Sequence, residues 1–186
     1  KSKPPIFIAR SDDSNSLSEV VKKTKVIASL AGPFSKYSNE LVYQCYENNT
    51  NYVDITGENI WVRDLIDRYH KGCEDKGIFI IPSCGYDSIP SDIGSFYCHM
   101  MLNENIDHID GYHTGKGGVS GGTIESAFNM KNYKSSYKIG NPFLLNSKEF
   151  TKNNYNSKSK DKFSIKYIKD IKKYSAPFVM AIANTR

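Results

Sequence analysis

The sequence predicts an α/β protein: the back half of a doubly wound parallel sheet, followed by part of a second α/β domain. Apolar, β-branched segments alternate with helical patterns of roughly ten to sixteen residues, which is typical of parallel βαβ units with right-handed crossovers. The apolar segments are hydrophobic throughout instead of at every second position, as expected when helices cover both faces of a sheet. Glycine and proline follow several of these segments and mark strand ends.

The first half of the chain shows this alternation most clearly. Apolar and β-branched residues cluster in segments that we predict to be strands, at residues 5–9, 25–30, 52–55 and 77–82. Apolar residues recur at helical spacing in the segments between them, which predicts helices at residues 16–23, 38–48 and 59–75. Ser16 or Ser18 is expected to cap the first helix, because a short hydroxyl side chain accepts hydrogen bonds from first-turn amides.

After Gly85 the pattern changes. We predict a helix at about residues 90–102, an alternating strand at 106–113, and a further helix that begins near Thr123. Residues 141–162 are rich in Asn, Lys and Ser and are expected to form a mobile insertion. The chain starts at Lys1 and stops just after an apolar segment at 178–183, so we expect it to be an internal piece of a larger protein.

Composition and charge exclude several classes of protein. Hydrophobic residues make up 39% and charged residues 24% of the chain, which is typical of a globular protein with a core. The net charge of +5 arises largely from lysines between residues 148 and 173, either a solvated insertion or a surface for phosphates or anionic lipid headgroups. We expect no nucleic-acid partner. The longest apolar runs are too short to cross a bilayer, and no signal-peptide pattern is present.

The cysteines indicate a reducing compartment. There are four, and none are paired at CxxC spacing, so we expect free thiols and no metal site. The four histidines form no HExxH pattern, and GxSxG is absent as well, which disfavours a metalloprotease or an α/β-hydrolase. A cytoplasmic protein is expected.

Three turns follow predicted strands, at residues 31–34, 54–58 and 83–88. Ligands of open α/β sheets bind beyond the carboxyl ends of the strands, so the turns are candidates for a binding site. A glycine at such a position lets a flat ligand approach the backbone, because no Cβ intervenes. The alternative is that Gly and Pro only terminate the strands.

Further candidates lie downstream of the last turn. Asp87 and Asp92 flank the start of the predicted helix, where they either cap it or take part in proton transfer. The glycine-dense stretch 114–123 matches neither a P-loop nor GxGxxG, and is either a substrate-side loop or a flexible connection. His113 lies beside it and is the histidine that we consider as an acid.

Four segments together resemble the saccharopine dehydrogenase-like oxidoreductase family, which includes trans-acting enoyl reductases. Two of them are close to its GP[FY]xxYGxxLVxAC…YxDxxGE and GFDSIPxDLG patterns: AGPFSKYSNELVYQCYENNTNYVDITGE at 31–58 and IPSCGYDSIPSDIG at 81–94. The first departs from its pattern at Ser38, where the family usually has glycine, and at Gln44, where it usually has alanine. The other two are SGGTIESA at 120–127 and APFVMAIANTR at 176–186. They cover most of the chain in the family's order.

The resemblance implies a Rossmann domain that binds NAD or NADP, here its C-terminal half at residues 1–88, and part of an α/β substrate domain at 89–186. It also implies that the glycine-rich fingerprint lies upstream of Lys1. By position, Gly32, Pro33 and Phe34 would line the nicotinamide half of the site, with further cofactor-side residues at Asp54, Thr56, Gly57 and Gly85. Asp87 and Ser88 would orient the substrate, with His113 or Tyr86 as the proton donor.

Two functions are carried forward from these residues and the resemblance. The first is hydride transfer between a nicotinamide cofactor and a small or acyl-lipid substrate. The second is a non-catalytic Rossmann-fold module that binds a lipid surface or a protein partner, since fold alone does not fix function. The resemblance includes eukaryotic members associated with lipid droplets or glycolipid synthesis, so a lipid-droplet or membrane-associated location is considered beside the cytoplasm. A homodimer is considered as well.

Overall fold

The computed structural model describes residues 3–102, 104–118, 120–137, 141–147, 149–150, 152 and 164–176. The chain forms two compact units. The first consists of Lys1–Gly85 and Val119–Ser136, and the second of Tyr86–Gly118 and Tyr137–Arg186. The division into domains at residue 88 stays a prediction, but the helix expected near Thr123 groups with the first unit.

A parallel sheet organises the first unit. Its strands lie side by side in chain order: β1 (Val26–Ser29), β2 (Asn51–Asp54) and β3 (Ile80–Ile81). Tyr52 in the middle strand pairs with Ile27 on one side and with Ile80 on the other, both in parallel register. The predicted parallel α/β fold is therefore confirmed.

The helices of the described residues lie close to their predicted positions. They are α1 (Ser14–Val21), α2 (Phe34–Tyr37), α3 (Asn39–Glu47), α4 (Asn59–Lys76), α5 (Ile89–Leu102) and α6 (Gly121–Asn132). The expected cap of α1 is wrong: Asp13 Oδ1 accepts hydrogen bonds from the Asn15 and Ser16 amides, and the helix begins two residues earlier than predicted. α4 ends at Gly77, whose φ of 66° suits a residue without a Cβ.

The core lies on one face of the sheet. Tyr52, Val42 and Trp61 are fully buried there, together with Val21 of α1. Coverage of both faces was expected, and this is wrong for the described residues: the other face leaves Val26 and Ile81 each 48% exposed. The reason is topological, because right-handed crossovers that step in one direction across a sheet place their helices on the same face.

Two predicted strands are absent from the described residues. Residues 5–9 and 106–113 have no strand structure, and Ile6 and Ile8 are 90% and 92% exposed. Both segments have strand-like composition, but no described strand lies beside either of them. A strand depends on ladder hydrogen bonds to a neighbour, so propensity alone does not produce one.

The second unit contains α5 and an antiparallel hairpin. Its strands, β4 (Lys166–Ile168) and β5 (Lys173–Ser175), pair Tyr167 with Tyr174. Most of the predicted mobile insertion at 141–162, and the whole apolar segment at 178–183, lie outside the described residues.

Candidate functional site

The turns that follow β1, β2 and β3 all lie at the carboxyl-terminal edge of the sheet in the first unit, since the strands are parallel. The sequence predicted that these turns would form a site. Two buried carboxylates, Glu58 and Asp54, connect the three turns in the structure by accepting hydrogen bonds from their backbone amides.

Glu58 links the first turn to the second. Its Oε1 accepts a hydrogen bond from the Phe34 amide at 2.7 Å, and its Oε2 accepts one from the Ser35 amide at 3.0 Å. Ser126 of α6 donates its hydroxyl to Oε1 at 2.9 Å. Glu58 is only 1% exposed, so these donors take the place of water around the carboxylate.

Asp54 links the second turn to the third. Its Oδ1 accepts the amides of Thr56 and Ser83, both at 2.9 Å, while Tyr52 donates its hydroxyl to Oδ2 at 2.9 Å. The backbone carbonyl of Asp54 also accepts the Cys84 amide at 2.7 Å. Burial raises the pKa of the Asp54 carboxyl above its ordinary value, although the hydrogen bonds from the two amides oppose this shift.

Ser83 holds the third turn in a strained conformation. Its φ is 62°, in the left-handed region that non-glycine residues seldom occupy. The hydrogen bond from its amide to Asp54 and one from its hydroxyl to the Thr56 carbonyl, at 2.9 Å, both act in this conformation. Ser83 therefore fixes the position of the third turn against the second.

Small residues keep parts of these turns open. Gly32 and Gly57 are exposed. A Cβ on Gly85 would lie 3.3 Å from the Ile55 side chain, closer than most real Cβ contacts. Gly32 and Pro33 are joined by a cis peptide bond, and Pro33 is buried. Gly32 and Gly57 therefore present backbone without a Cβ at the surface, whereas the position of Gly85 is explained by its approach to Ile55.

An aromatic pair joins the first turn to α4. The rings of Phe34 and Trp61 stack with their centroids 6.3 Å apart, and Trp61 is fully buried. The Trp61 indole nitrogen donates a hydrogen bond to Asn39 Oδ1 at 2.9 Å. Because the sequence contains one tryptophan, tryptophan fluorescence reports on the surroundings of the Trp61 indole.

The expected catalytic residues Asp87, Ser88 and His113 belong to the second unit. The two ring nitrogens of His113 each have a hydroxyl partner: Tyr86 at 3.2 Å from Nδ1, and Ser91 at 3.3 Å from Nε2. Ser88 is 5% exposed and Asp87 is half-buried. Their catalytic roles stay predictions. His113 and Tyr86, predicted from the sequence as alternative proton donors, are hydrogen-bonded to each other.

The remaining predictions concern the glycine-rich stretch before α6, metal binding and membrane spans. Ser120 caps α6 by accepting the Thr123 amide at 3.2 Å, while the described residues 114–118 before it have no regular structure. Whether this glycine-rich stretch is a substrate loop or a connection stays open. Among the described residues there is no group of three His, Cys, Asp or Glu side chains placed to hold a metal ion. No described helix is long and apolar enough to span a membrane.

Sequence reasoning missed the residues that connect the site. Glu58 was noted only as the end of a flanking turn, and neither Ser83 nor Ser126 was singled out for a role. The one available signal was the Gly-Glu pair at the end of the 31–58 segment, which marks Glu58. Ser126 lies 68 positions from Glu58 along the chain, a separation at which periodicity predicts no contact.

A parallel sheet with linked turns at its carboxyl edge is a Rossmann-like α/β arrangement, in which ligands bind beyond that edge. Residues 6–81 match the model of the saccharopine dehydrogenase NADP binding domain. The resemblance predicted from the motifs is thereby confirmed, and so is the expected cofactor class, NAD or NADP.

Several curated proteins are similar to the chain. It is 31% identical over 170 residues to the saccharopine dehydrogenase-like oxidoreductase of Homo sapiens, an alignment that covers 88% of this chain and 39% of that protein. It is 31% identical over 151 residues, 76% of this chain and 36% of the relative, to a Mycobacterium tuberculosis protein provisionally named as a trans-acting enoyl reductase. A lipid droplet localized protein of Caenorhabditis elegans is 29% identical over 107 residues, 58% of this chain and 25% of the relative.

The chain therefore spans about two-fifths or less of the length of these relatives. Their names support the expected oxidoreductase class. No solved structure matches the chain.

Proposed function

We propose that this chain is part of an NAD(P)-dependent oxidoreductase that transfers hydride to or from a small or acyl-lipid substrate. The observation that supports it most is the linkage of three turns at one edge of a parallel sheet, within a segment of the NADP-binding family. The names of the human and mycobacterial relatives support hydride transfer as the reaction.

The cofactor-side residues divide into two groups by exposure. Gly32 and Gly57 are exposed and offer backbone without a Cβ, so they are suited to contact the nicotinamide half of the nucleotide. Asp54 and Thr56 are buried, and their side chains accept hydrogen bonds from backbone amides inside the protein. They therefore position the turns, as Phe34 and Pro33 do by packing. Gly85 ends the third turn, where its small size lets the backbone pass Ile55.

The proposed chemistry assigns hydride to the nicotinamide and the proton to the protein. Tyr86 is 59% exposed and its hydroxyl oxygen lies 3.2 Å from His113 Nδ1. When substrate is reduced, this hydroxyl can give its proton to the substrate, and an imidazolium at His113 can return a proton to the tyrosine oxygen through Nδ1–H. Asp87 and Ser88 are proposed to orient the substrate.

Nucleotide binding is the first test. NADPH and NADH are titrated against this chain and against a form extended upstream, with energy transfer from Trp61 to the reduced nicotinamide as the signal. We expect saturable binding, stronger in the extended form. Asp87→Ala should lower turnover of NADPH with substrate and leave nucleotide affinity unchanged. A well-folded extended form that binds neither nucleotide would contradict the proposal.

The second candidate function is a non-catalytic module at a lipid surface, such as a lipid droplet. It is favoured by α5, whose Ile93, Phe96 and Met100 are 52%, 59% and 61% exposed, and by the name of the nematode relative. Flotation with phosphatidylcholine-coated triacylglycerol droplets tests it. Association should persist in Asp87→Ala and fall in Phe96→Glu; equal flotation of Phe96→Glu would exclude α5 as the contact.

A further inference from the structure

The helix α6 lies beyond the matched family segment, which ends at residue 81, yet it belongs to the first unit. From this we propose that α6 is a positioning element of the cofactor site: Ser126 and Asn129 hold the turn 32–35 in place from outside the nucleotide-binding segment. This proposal takes its ligand, a nicotinamide nucleotide, from the proposed function. Its geometry comes from the hydrogen bonds of α6.

The contacts of α6 converge on the first turn. Ser126 donates its hydroxyl to Glu58 Oε1 at 2.9 Å, and Glu58 in turn accepts the Phe34 and Ser35 amides. Asn129 donates its amide to the Ser35 hydroxyl at 2.6 Å. One face of α6 is thus connected to Phe34 and Ser35 in two ways. Ser126 acts through the Glu58 carboxylate, and Asn129 bonds the Ser35 hydroxyl directly.

The opposite face of α6 is apolar and exposed. Ile124 and Phe128 are 49% and 67% exposed. A helix that packed only by apolar burial would turn these residues inward. The polar face is therefore what fixes α6 on the first unit, together with a Lys36–Glu125 ion pair at 3.8 Å. That pair is exposed and contributes little by itself.

A second anchor holds the chain after α6. Ser135 donates its hydroxyl to Asp64 Oδ1 at 3.3 Å, and Tyr133 is hydrogen-bonded to the same carboxylate. Burial raises the pKa of Tyr133 to about 12, so its hydroxyl keeps its proton at neutral pH. α6 is therefore hydrogen-bonded to Glu58 and Ser35 through Ser126 and Asn129, and the chain just after it is hydrogen-bonded to Asp64 of α4, which limits its freedom to move away from the turn.

The test truncates the polar contacts of α6 in the full chain. The variant Ser126→Ala/Asn129→Ala is compared with Ile124→Ala/Phe128→Ala, which truncates two side chains on the exposed face of the same helix. Ser126→Thr keeps the hydroxyl and serves as the rescue. Acrylamide quenching of Trp61 without nucleotide reports whether Phe34 and its turn still cover the indole, and NADPH affinity is measured by energy transfer. Urea unfolding verifies that each variant is folded.

In Ser126→Ala/Asn129→Ala we expect quenching of Trp61 to increase about twofold and NADPH to bind roughly five- to tenfold more weakly, because a misplaced support acts on the site through another residue. The exposed-face control and Ser126→Thr should keep wild-type quenching of Trp61 and an NADPH affinity within about twofold of the wild type, because neither change removes a buried hydrogen bond.

Wild-type quenching in the polar variant would overturn the proposal. So would increased quenching with unchanged NADPH affinity, since the site would then not depend on the turn. If neither this chain nor the form extended upstream binds NADPH, the proposed function fails, and the quenching comparison still decides whether α6 holds the turn.

Discussion

At the scale of single residues, two buried carboxylates organise the candidate site. Glu58 and Asp54 are 1% and 2% exposed, and each accepts hydrogen bonds from two backbone amides and one hydroxyl. Such donors offset the loss of hydration that a buried charge suffers. The positions of the turns therefore depend on these two side chains more than on the glycines and prolines that the sequence displays.

Glu58→Gln should lower the free energy of unfolding by about 1–3 kcal/mol, because the amide nitrogen would face a backbone N–H in a buried space and leave a donor unsatisfied. Urea denaturation followed by Trp61 fluorescence measures the change. Glu125→Gln makes the same replacement at an exposed ion pair and should cost less than about 0.5 kcal/mol. Equal losses in the two variants would contradict a special role for Glu58.

Asp54 predicts a dependence of stability on pH. Its pKa in the folded state is raised above the ordinary 3.8, so the folded protein binds this proton more tightly than the unfolded chain does. The contribution of Asp54 is therefore fully present below the ordinary pKa and is lost as pH rises through the raised pKa. Asp54→Asn keeps an oxygen acceptor and removes the titration.

The stability of the wild type relative to Asp54→Asn should accordingly decrease as pH rises above the ordinary carboxyl pKa of 3.8. Urea midpoints at several pH values measure the difference. A difference that stays constant, or that grows with pH, would show that the hydrogen bonds outweigh burial.

At the scale of elements, periodicity and capping predicted the helices well because their causes are local. The apolar positions of α4 and the glycine after it mark its extent to within one residue. Strands 5–9 and 106–113 were wrong because a strand needs a neighbour, which no local pattern supplies. The start of α1 was also missed: Asp13 competes with Ser16 and Ser18 as a cap, and composition does not rank them.

Glycine substitutions at two helical positions should have opposite effects. Gly77→Ala places a Cβ on a left-handed residue with φ 66° and should destabilise by about 1 kcal/mol, although no atom lies within 4 Å of that Cβ. Gly94→Ala, inside α5 and equally open, should instead stabilise by up to about 1 kcal/mol through helix propensity. Thermal unfolding compares the two. Effects of the same sign would mean that φ does not govern position 77.

At the scale of the whole molecule, the core of the first unit should unfold as one body. Cys45 is fully buried, and burial raises the pKa of its thiol to about 12, so it stays protonated and unreactive in the folded state. Cys98, on α5, is exposed. We therefore expect a thiol reagent to modify Cys98 at once and Cys45 only as Trp61 fluorescence reports unfolding in urea.

Mass spectrometry of the labelled peptides at each urea concentration measures this. Modification of Cys45 well before the fluorescence transition would mean that α3 unfolds before the core around Trp61, and it would contradict unfolding of the first unit as one body. Cys98→Ser provides the control, since it removes the fast reaction and leaves the Cys45 curve unchanged.

The sequence by itself determined the fold class, the approximate helix positions, the family resemblance and the turns that follow the three strands. These follow from hydrophobic period, from turn residues and from short motifs, all of which act over a few neighbouring positions. The tertiary structure alone decided that Glu58 and Asp54 hold the turns together, that Ser83 is strained, and that α6 supports the first turn from 68 positions away. Such contacts depend on the three-dimensional approach of distant segments, and no period along the chain encodes that approach.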